Sequence, residues 1–537
     1  MLEKQAEIDV IIVGYGPVGA TLANMMGLYG GKTVLFERDR EIYPVPRAVH
    51  ADDETLRTFQ FIGLQEAIKP AFGTYDKREY FNAKGDIFFE TYLSDERKYG
   101  YRTDIYFHQP TLEAVLRDGV ARFEHVELYL GYEVYKIEQD ETGVTVTARD
   151  LADGSEMSVR ANYVVGCDGA RSVVRKLMGM TLKDLKFDQP WLVVDVYLKE
   201  GVTAESAELP TCHRQYCNPR QPITFVPTNV KNHFRLEFML LEGQSKEEIQ
   251  RPEKVRELLS LVVDPDKVDV ARAVVYTFHA LVAQQWRVGR VFIAGDAAHQ
   301  MPPFAGQGMC SGIRDVHNLS WKLMLVLANI ASDTILDSYE EERVPHVTRM
   351  TRGSMLLGSL IQTRNPIRAM VRDLLFKTIL RIPKLFSRLA HYTLRPPSLT
   401  SGLLGGEVRA AKGSLFIQPL VRTETGETLL LDEILDTGFA IIGKDQDPQA
   451  VINTASLNLG DALSITFVQV VALGNQPKDQ RAGTRYIEDI EGKLTEWFQQ
   501  NQAQFVIVRP DRYVFGTYTN KGISQAAREL LGSLCTL

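Results

Sequence analysis

The sequence predicts an α/β protein in several units: a Rossmann-like parallel sheet with an inserted β-meander, a second, sheet-rich unit, and a small C-terminal α/β unit. Three observations lead to it. The run IDVIIV at residues 8–13 is apolar and mostly β-branched, as a central parallel strand covered on both faces requires, and it breaks at once into the glycine turn GYGPVG. Two later segments, NYVVGCDGARSVVR from Asn162 and GRVFIAGDAAH from Gly289, repeat the order of strand, polar glycine turn and helix. Strand-rich stretches lie between them, and short strands with one helix close the chain.

At 537 residues the chain exceeds one typical domain and suffices for two to four compact units. Apolar runs such as Trp321 to Ile330 fall well short of the ~20 residues that cross a bilayer, so no stable membrane association is expected. The start MLEKQAEIDV has acids and lysine before its apolar run and no small-residue cleavage site, which points to the cytoplasm. A net charge of −7 argues against nucleic acid as a partner. The cysteines at 167, 212, 217, 310 and 535 form neither a CxxC pair nor a Cys/His cluster, so no metal and no disulfide framework is expected.

In the first turn, Gly14, Gly16 and Gly19 fit the G-x-G-x-x-G spacing, with Pro17 among them. The first glycine permits the tight turn, the second lets a pyrophosphate approach the backbone, and the third lets the helix pack closely. TVLFERD then supplies a strand ending in Glu37, about where an acid binds a ribose hydroxyl, with Arg38 beside it. The spacing alone does not separate FAD from NAD.

The second turn places Asp168 at a strand's C-terminal end, where open α/β sheets hold ligands, and Ser172 could cap the helix that follows. The third opens GDAAHQMPPFAGQGMCSGIRD, residues 295–315. Gly295 and Asp296 end a strand, and that acid can accept hydrogen bonds from a polyol chain. Pro302 and Pro303 stiffen the loop, Gly306 and Gly308 admit a flat ring close to the backbone, and a helix from about Met309 aims its first amides at that ring.

These turns in this order resemble the group A flavoprotein monooxygenases over roughly residues 5–350. The wording PRAVHADDETLRTFQFIGL, HQPTLEAVLR and MPPFAGQGMCSGIRD is similar to the branch of 3-(3-hydroxyphenyl)propionate hydroxylase and phenol hydroxylase. The resemblance implies a p-hydroxybenzoate hydroxylase-like fold, bound FAD, and NADH or NADPH as co-substrate. It also implies that Gly14, Gly16 and Gly19 hold the pyrophosphate turn and Glu37 the adenosine ribose. Arg47 and Gln109 would contact the cofactor, Asp168 would sense both FAD and the nicotinamide donor, and Asp296 would bind the ribityl chain. Pro302 and the backbone from Gly306 through Gly308 to Met309 would border the isoalloxazine. Cys310 departs from relatives that carry asparagine, and reads as a small buried residue packing a helix start.

EVYKIEQ, VTVTARD and EMSVRA alternate as a three-strand meander inside the FAD-binding unit, which is placed at residues 1–180 and 286–395 with a helical extension. Residues 181–285 read as the substrate-binding sheet, so the substrate should lie between that sheet and the PPF loop. His50, Arg214, Tyr216, Arg235 and Pro303 are candidate substrate contacts that no motif fixes. A phenol hydroxylase needs a group that assists phenol deprotonation; His50 or Tyr216 could do so, with Pro302 beside the reacting ring. An arginine would suit a carboxylated substrate. RPPSLTSGLLGGE marks the clearest boundary, and residues 408–537, with a helix-like segment at 486–500, resemble the thioredoxin-like C-terminal domain of this branch. Without CxxC, a stabilising or dimer-forming role is expected of it.

The sequence thus reads as an FAD-dependent aromatic hydroxylase, expected as a homodimer. NAD(P)H would reduce the flavin, O2 would add at C4a, and the terminal oxygen of the hydroperoxide would pass to a small phenolic ring. A flavin halogenase would want paired tryptophans, and those at 191, 286, 321 and 497 are scattered. The same fold could instead act on a polycyclic polyketide, or serve as a non-hydroxylating flavoprotein or a flavin-free scaffold. The intact set of Gly14, Glu37, Asp168 and Asp296 speaks against the scaffold.

Overall fold

Strand Ile8–Val13 runs parallel to Thr33–Glu37 on one side and to Glu156–Gly166 on the other. The sheet continues outward to Val126–Leu130 at one edge and to Val291–Ile293 and Arg287–Val288 at the other. Strand Glu156–Gly166 belongs to two arrangements. Its first half closes the antiparallel meander with Val144–Asp150 and Tyr132–Gln139, and its second half enters the parallel sheet at Ala161. Burial follows the change, alternating up to Arg160 and complete from Ala161 onward, because helices cover both faces of the parallel part. This is a computed structural model, and it describes residues 8–92, 97–228, 230–379, 395–406, 411–452, 464–475 and 481–535. Part of the helical extension expected up to residue 395 therefore lies outside the described residues, as do the first residues of the C-terminal unit and the Cys535 side chain.

Helix Pro17–Leu28 follows the first turn with proline at its start, where the missing amide costs no hydrogen bond. The long helix Gly308–Leu327 packs against it. Gly312 permits the approach, since a methyl there would stand 2.6 Å from Val18 and 2.9 Å from the Gly295 Cα.

The second sheet has eight strands, in the order His299–Gln300, Val268–Ala283, Leu182–Leu198, His233–Met239, Ile223–Pro227, His213–Tyr216, Lys77–Phe81, Ile87–Tyr92. The division expected at 181–285 omits the first of these strands and the last two, which form a hairpin. That hairpin comes from the N-terminal part of the chain, yet pairs in parallel with His213–Tyr216 and completes the edge of the substrate sheet. Helix Pro252–Leu259 covers one face over Leu192, Val194, Phe225, Leu236 and Phe238. The other face looks toward the first sheet.

The C-terminal unit sets Phe439–Lys444 parallel to Ile465–Ala472, with Phe505–Val508 and Val514–Tyr518 antiparallel on the far side, the strand order of a thioredoxin-like fold. The helix expected over 486–500 begins later. Thr484–Asp489 is a buried strand, and Gly492, at φ +70°, turns the chain into helix Lys493–Gln500.

The C-terminal unit shares its core with the rest of the chain. Phe439, Ile441 and Phe505 belong to the same apolar cluster as Trp321. Arg57 grips Asp432 at 2.6 and 2.7 Å. Lys322, Glu342, Arg509 and Asp511 form one buried ionic network with contacts of 2.6 to 2.9 Å. Among the described residues no helix is long and apolar enough to cross a membrane.

Candidate active site

The three glycine turns meet at the C-terminal edge of the parallel sheet, and steric limits show what each glycine is for. Gly14 adopts φ +103°, and a methyl on it would stand 2.6 Å from the Cys167 carbonyl oxygen, so this position joins the first turn to the second. A methyl on Gly19 would stand 2.0 Å from the Gly14 carbonyl oxygen. At Gly16 a methyl would meet nothing within 4 Å. The middle glycine is thus unneeded for packing and leaves the backbone bare at a helix N-terminus, the cradle that a pyrophosphate requires. Pro17 stands at the start of that helix.

Both oxygens of Glu37 are engaged. Oε2 accepts from the Tyr15 amide at 2.7 Å and Oε1 from the Asp39 amide at 2.9 Å, which fixes the carboxylate beside the first turn with lone pairs remaining. Arg38 is exposed, with loose contacts to Asp39 and Glu133 at 3.7 and 3.8 Å. Asp168 turns inward: it accepts from Ser172 Oγ at 2.5 Å and from the amides of Val173 and Val174 at 2.6 and 3.0 Å. Ser172 in turn caps helix Val173–Leu177 through the Arg175 amide. Burial raises the Asp168 pKa, partly offset by those donors. Its carboxylate therefore organises the turn, and its backbone touches Gly14.

At the third turn Gly295 adopts φ +61°, and Asp296 is exposed at the strand end. Surrounding protein raises the Asp296 pKa, with His299 and Arg47 opposing. Arg47 therefore lies on the Asp296 side of the site, its guanidinium 4.8 Å over the Tyr43 ring. Gln109 holds that loop: its Oε1 accepts from the amides of Arg47 and Ala48 at 2.8 and 2.7 Å. Pro302 is buried, with its carbonyl bonded by Ser354 at 2.6 Å, and Pro303 is exposed. Gly306 turns the loop at φ +65°, Gly308 starts the long helix, and Met309 is half-buried. Cys310 is fully buried against the carbonyls of His50 and Gly306, and burial pushes its thiol up to about 12.

His50 is buried against this loop. Its Nδ1 lies 3.2 Å from the Gly306 carbonyl oxygen and its Nε2 2.7 Å from Asp104 Oδ1. Asp104 also pairs with Arg78, whose Nε donates to the Tyr106 hydroxyl at 3.1 Å. The Arg78 guanidinium beside it holds the Asp104 carboxyl below the usual range, against burial.

Two of the remaining sequence candidates, Arg214 and Tyr216, fail on register. Residues directly opposed in a sheet share a face. Tyr216 opposes Ile223, which opposes Phe238, and Arg214 opposes Phe225, which opposes Leu236. Both side chains therefore lie on the helix-covered face, where Tyr216 stacks on Phe81 at 5.4 Å and Arg214 bonds Glu79 at 2.7 Å. Tyr216 cannot serve the phenol, nor Arg214 a substrate carboxylate. Arg235 is on the correct face but buried, and its donors are taken by Asp195 and the carbonyls of Pro46 and Arg47. It ties the sheet to the Arg47 loop. Other residues that face inward include His213, Gln215, Thr224, Glu237, Val193 and Trp191. His213 stacks on Tyr106 at 6.2 Å, and Trp191 meets Phe304 of the PPF loop at 5.8 Å.

The FAD binding domain model matches residues 7–354, which contain all three turns. The chain belongs to the FAD binding domain family. An HcaD C-terminal domain model matches residues 413–533. A 3-(3-hydroxy-phenyl)propionate/3-hydroxycinnamic acid hydroxylase of Comamonas testosteroni is 32% identical, covering 98% of this chain and 97% of that one. A probable NADH-specific resorcinol 4-hydroxylase of Rhodococcus jostii (strain RHA1) is 37% identical over 98% of this chain and 93% of that one. In fold, the crystal structure of the flavin-dependent monooxygenase PieE, in complex with FAD and substrate, covers 99% of both chains at TM-score 0.81 and 19% identity. Aklavinone-11 hydroxylase, also solved with FAD, gives 0.77 at 21% identity over 99% of both chains.

Several residues that hold this FAD binding domain together escaped the sequence reading. Asp315, in the IRD of the third motif, receives the Gly295 amide at 3.0 Å, His299 at 2.7 Å and Arg343 at 2.9 Å. Arg314, next to it, is buried between Asp52 and Glu54. A charged pair early in a mostly apolar helix was the available signal, since such residues are buried only when paired.

Proposed function

We propose that this enzyme hydroxylates a small phenolic ring, consuming NAD(P)H and O2, with FAD lying across the three turns. The observation that carries the reading is the bare backbone at Gly16, set between Glu37 and Asp296 in a chain of the FAD binding domain family. Gly14, Gly16, Pro17 and Gly19 would hold the pyrophosphate, Glu37 the adenosine ribose, and Asp296 with Gly295 the ribityl chain. Arg38, Arg47 and Gln109 border the cofactor, Asp168 keeps the second turn in shape, and Pro302, Gly306, Gly308 and Met309 line its ring. When bound there, FAD would supply hydride acceptance from the nicotinamide and activation of oxygen. His50, oriented by Asp104 and set against Gly306, exchanges a proton with the phenol. Pro303 and the inward face of the second sheet enclose the substrate. The hydroxylases among the full-length relatives support a phenolic substrate.

The protein is further proposed to be a cytoplasmic homodimer. Helix Pro366–Ile379 exposes Ile367, Met370, Val371, Leu374 and Leu375 at helical spacing, a stripe that a second copy would cover. NAD(P)H oxidation by the purified yellow protein, screened over phenols with hydroxylated product and peroxide counted separately, tests the activity. Flavin bound but no phenol hydroxylated would overturn it. A monomeric mass in solution would overturn the dimer.

A further inference from the structure

The inward face of the second sheet carries a charge pattern that bears on which phenol is accepted. Across its centre runs the row Tyr80, Gln215, Thr224, Glu237, Val193 and Val274, each opposed to the next. One step along the strands is an ionic row in which Arg235 and Arg272 both bond Asp195. One step the other way is an aromatic row, where Trp191 reaches Phe304 of the PPF loop. Glu237 lies between them, and it is the one residue of strand His233–Met239 that is not buried.

The polar groups on this face differ in whether they are satisfied. Thr224 donates to Gln215 at 2.9 Å. The guanidiniums of Arg78, Arg235 and Arg272 are each bonded to an aspartate. Trp191 Nε1 and His213 Nδ1 are buried without a partner. His213 is kept neutral by burial and by the nearby Arg78 and His50. The Glu237 carboxylate accepts no hydrogen bond from any described residue, and the surrounding protein, with Asp195 nearby, raises its pKa against Arg235 and Arg272. A carboxylate in that position lacks the donors that ordinarily accompany one.

We propose that Glu237 accepts a hydrogen bond from a second hydroxyl of the substrate, so that the ring admitted is an uncharged dihydric phenol and not a phenol with a carboxylate side chain. This rests on the phenol-hydroxylase reading above. A substrate carboxylate would meet Glu237 as a like charge and find every described guanidinium of this face already matched. A hydroxyl would supply the donor that Glu237 lacks.

The test compares resorcinol with 3-(3-hydroxyphenyl)propionate on the flavin-loaded enzyme and on Glu237→Gln and Glu237→Leu, reading hydroxylated product as kcat/KM. The wild type should favour resorcinol by about tenfold or more, and Glu237→Leu should lose about tenfold on resorcinol, mainly in KM. Glu237→Gln, which keeps an acceptor, should lose less. FAD content and thermal midpoint report whether each variant is folded. A wild type that favours the carboxylated phenol, or a Glu237→Leu that handles resorcinol as the wild type does, overturns the inference and leaves the hydroxylase reading standing. Failure of the wild type to hydroxylate any phenol overturns both.

Discussion

The Asp315 carboxylate accepts the Gly295 amide at 3.0 Å, so a residue of the long helix holds the third turn from behind. Its other oxygen receives Arg343 at 2.9 Å, and all three residues are buried. Asp315→Ala leaves Arg343 charged and unpaired and removes the acceptor for the turn. It should cost about 3 kcal/mol or more in urea unfolding and should lower flavin occupancy.

Gly14 and Gly16 are predicted to fail differently. Gly14→Ala puts a methyl 2.6 Å from the Cys167 carbonyl at φ +103°, so the protein should unfold several degrees lower or not accumulate. Gly16→Ala meets no protein atom, so it should keep its thermal midpoint within about 2 °C without cofactor yet bind FAD at least tenfold more weakly. Flavin absorbance and apoprotein melting separate the two outcomes. A Gly16→Ala protein that retains full flavin would remove the cradle from that position.

His50→Ala should lower hydroxylation kcat by about 10²-fold with FAD retained. Tyr216→Phe should change it less than about twofold, since that ring stacks on Phe81 on the outer face. A large loss in Tyr216→Phe would mean that the face assignment is wrong.

His317 gives a pH dependence of known sign. Burial lowers its pKa from 6.5 to about 4. As pH falls below about 6.5 the unfolded chain takes up a proton that the folded ring refuses until about pH 4. Stability is therefore full above pH 6.5 and declines between 6.5 and 4, by at most on the order of 3 kcal/mol. Urea midpoints at pH 7.5 and 4.5 should differ less in His317→Gln than in the wild type. An equal difference would assign the acid sensitivity to other groups.

What the sequence disclosed divides by distance along the chain. Each glycine turn is a local event, in which strand, bend and helix start fall within about a dozen residues, so the three turns and the meander were legible. The inward face of the substrate sheet was not. His213–Tyr216 is four residues with polar or aromatic groups on both sides, and without an apolar alternation the choice between Arg214 with Tyr216 and His213 with Gln215 was open. A one-residue error moved both candidates to the wrong face. Arg235 misled for another reason: its partner Asp195 lies 40 residues away, and nothing local marks the pair. The same holds for His50 with Asp104 and for Arg57 with Asp432, and the hairpin Lys77–Phe81 and Ile87–Tyr92 crosses between units that the linear order keeps apart.

The core shared by the C-terminal unit has a practical consequence for anyone who cuts or exchanges it. The proline- and glycine-rich stretch after Arg395 looks like a seam, yet removing the C-terminal unit there would strip Trp321 of its contact with Phe439 and take Asp432 from Arg57, Arg509 from Glu342 and Tyr513 from Glu54. A chimera joined at that seam would inherit one half of each buried pair. Its compatibility would depend on both parents carrying matching halves, so the two units should be inherited, engineered and denatured as one.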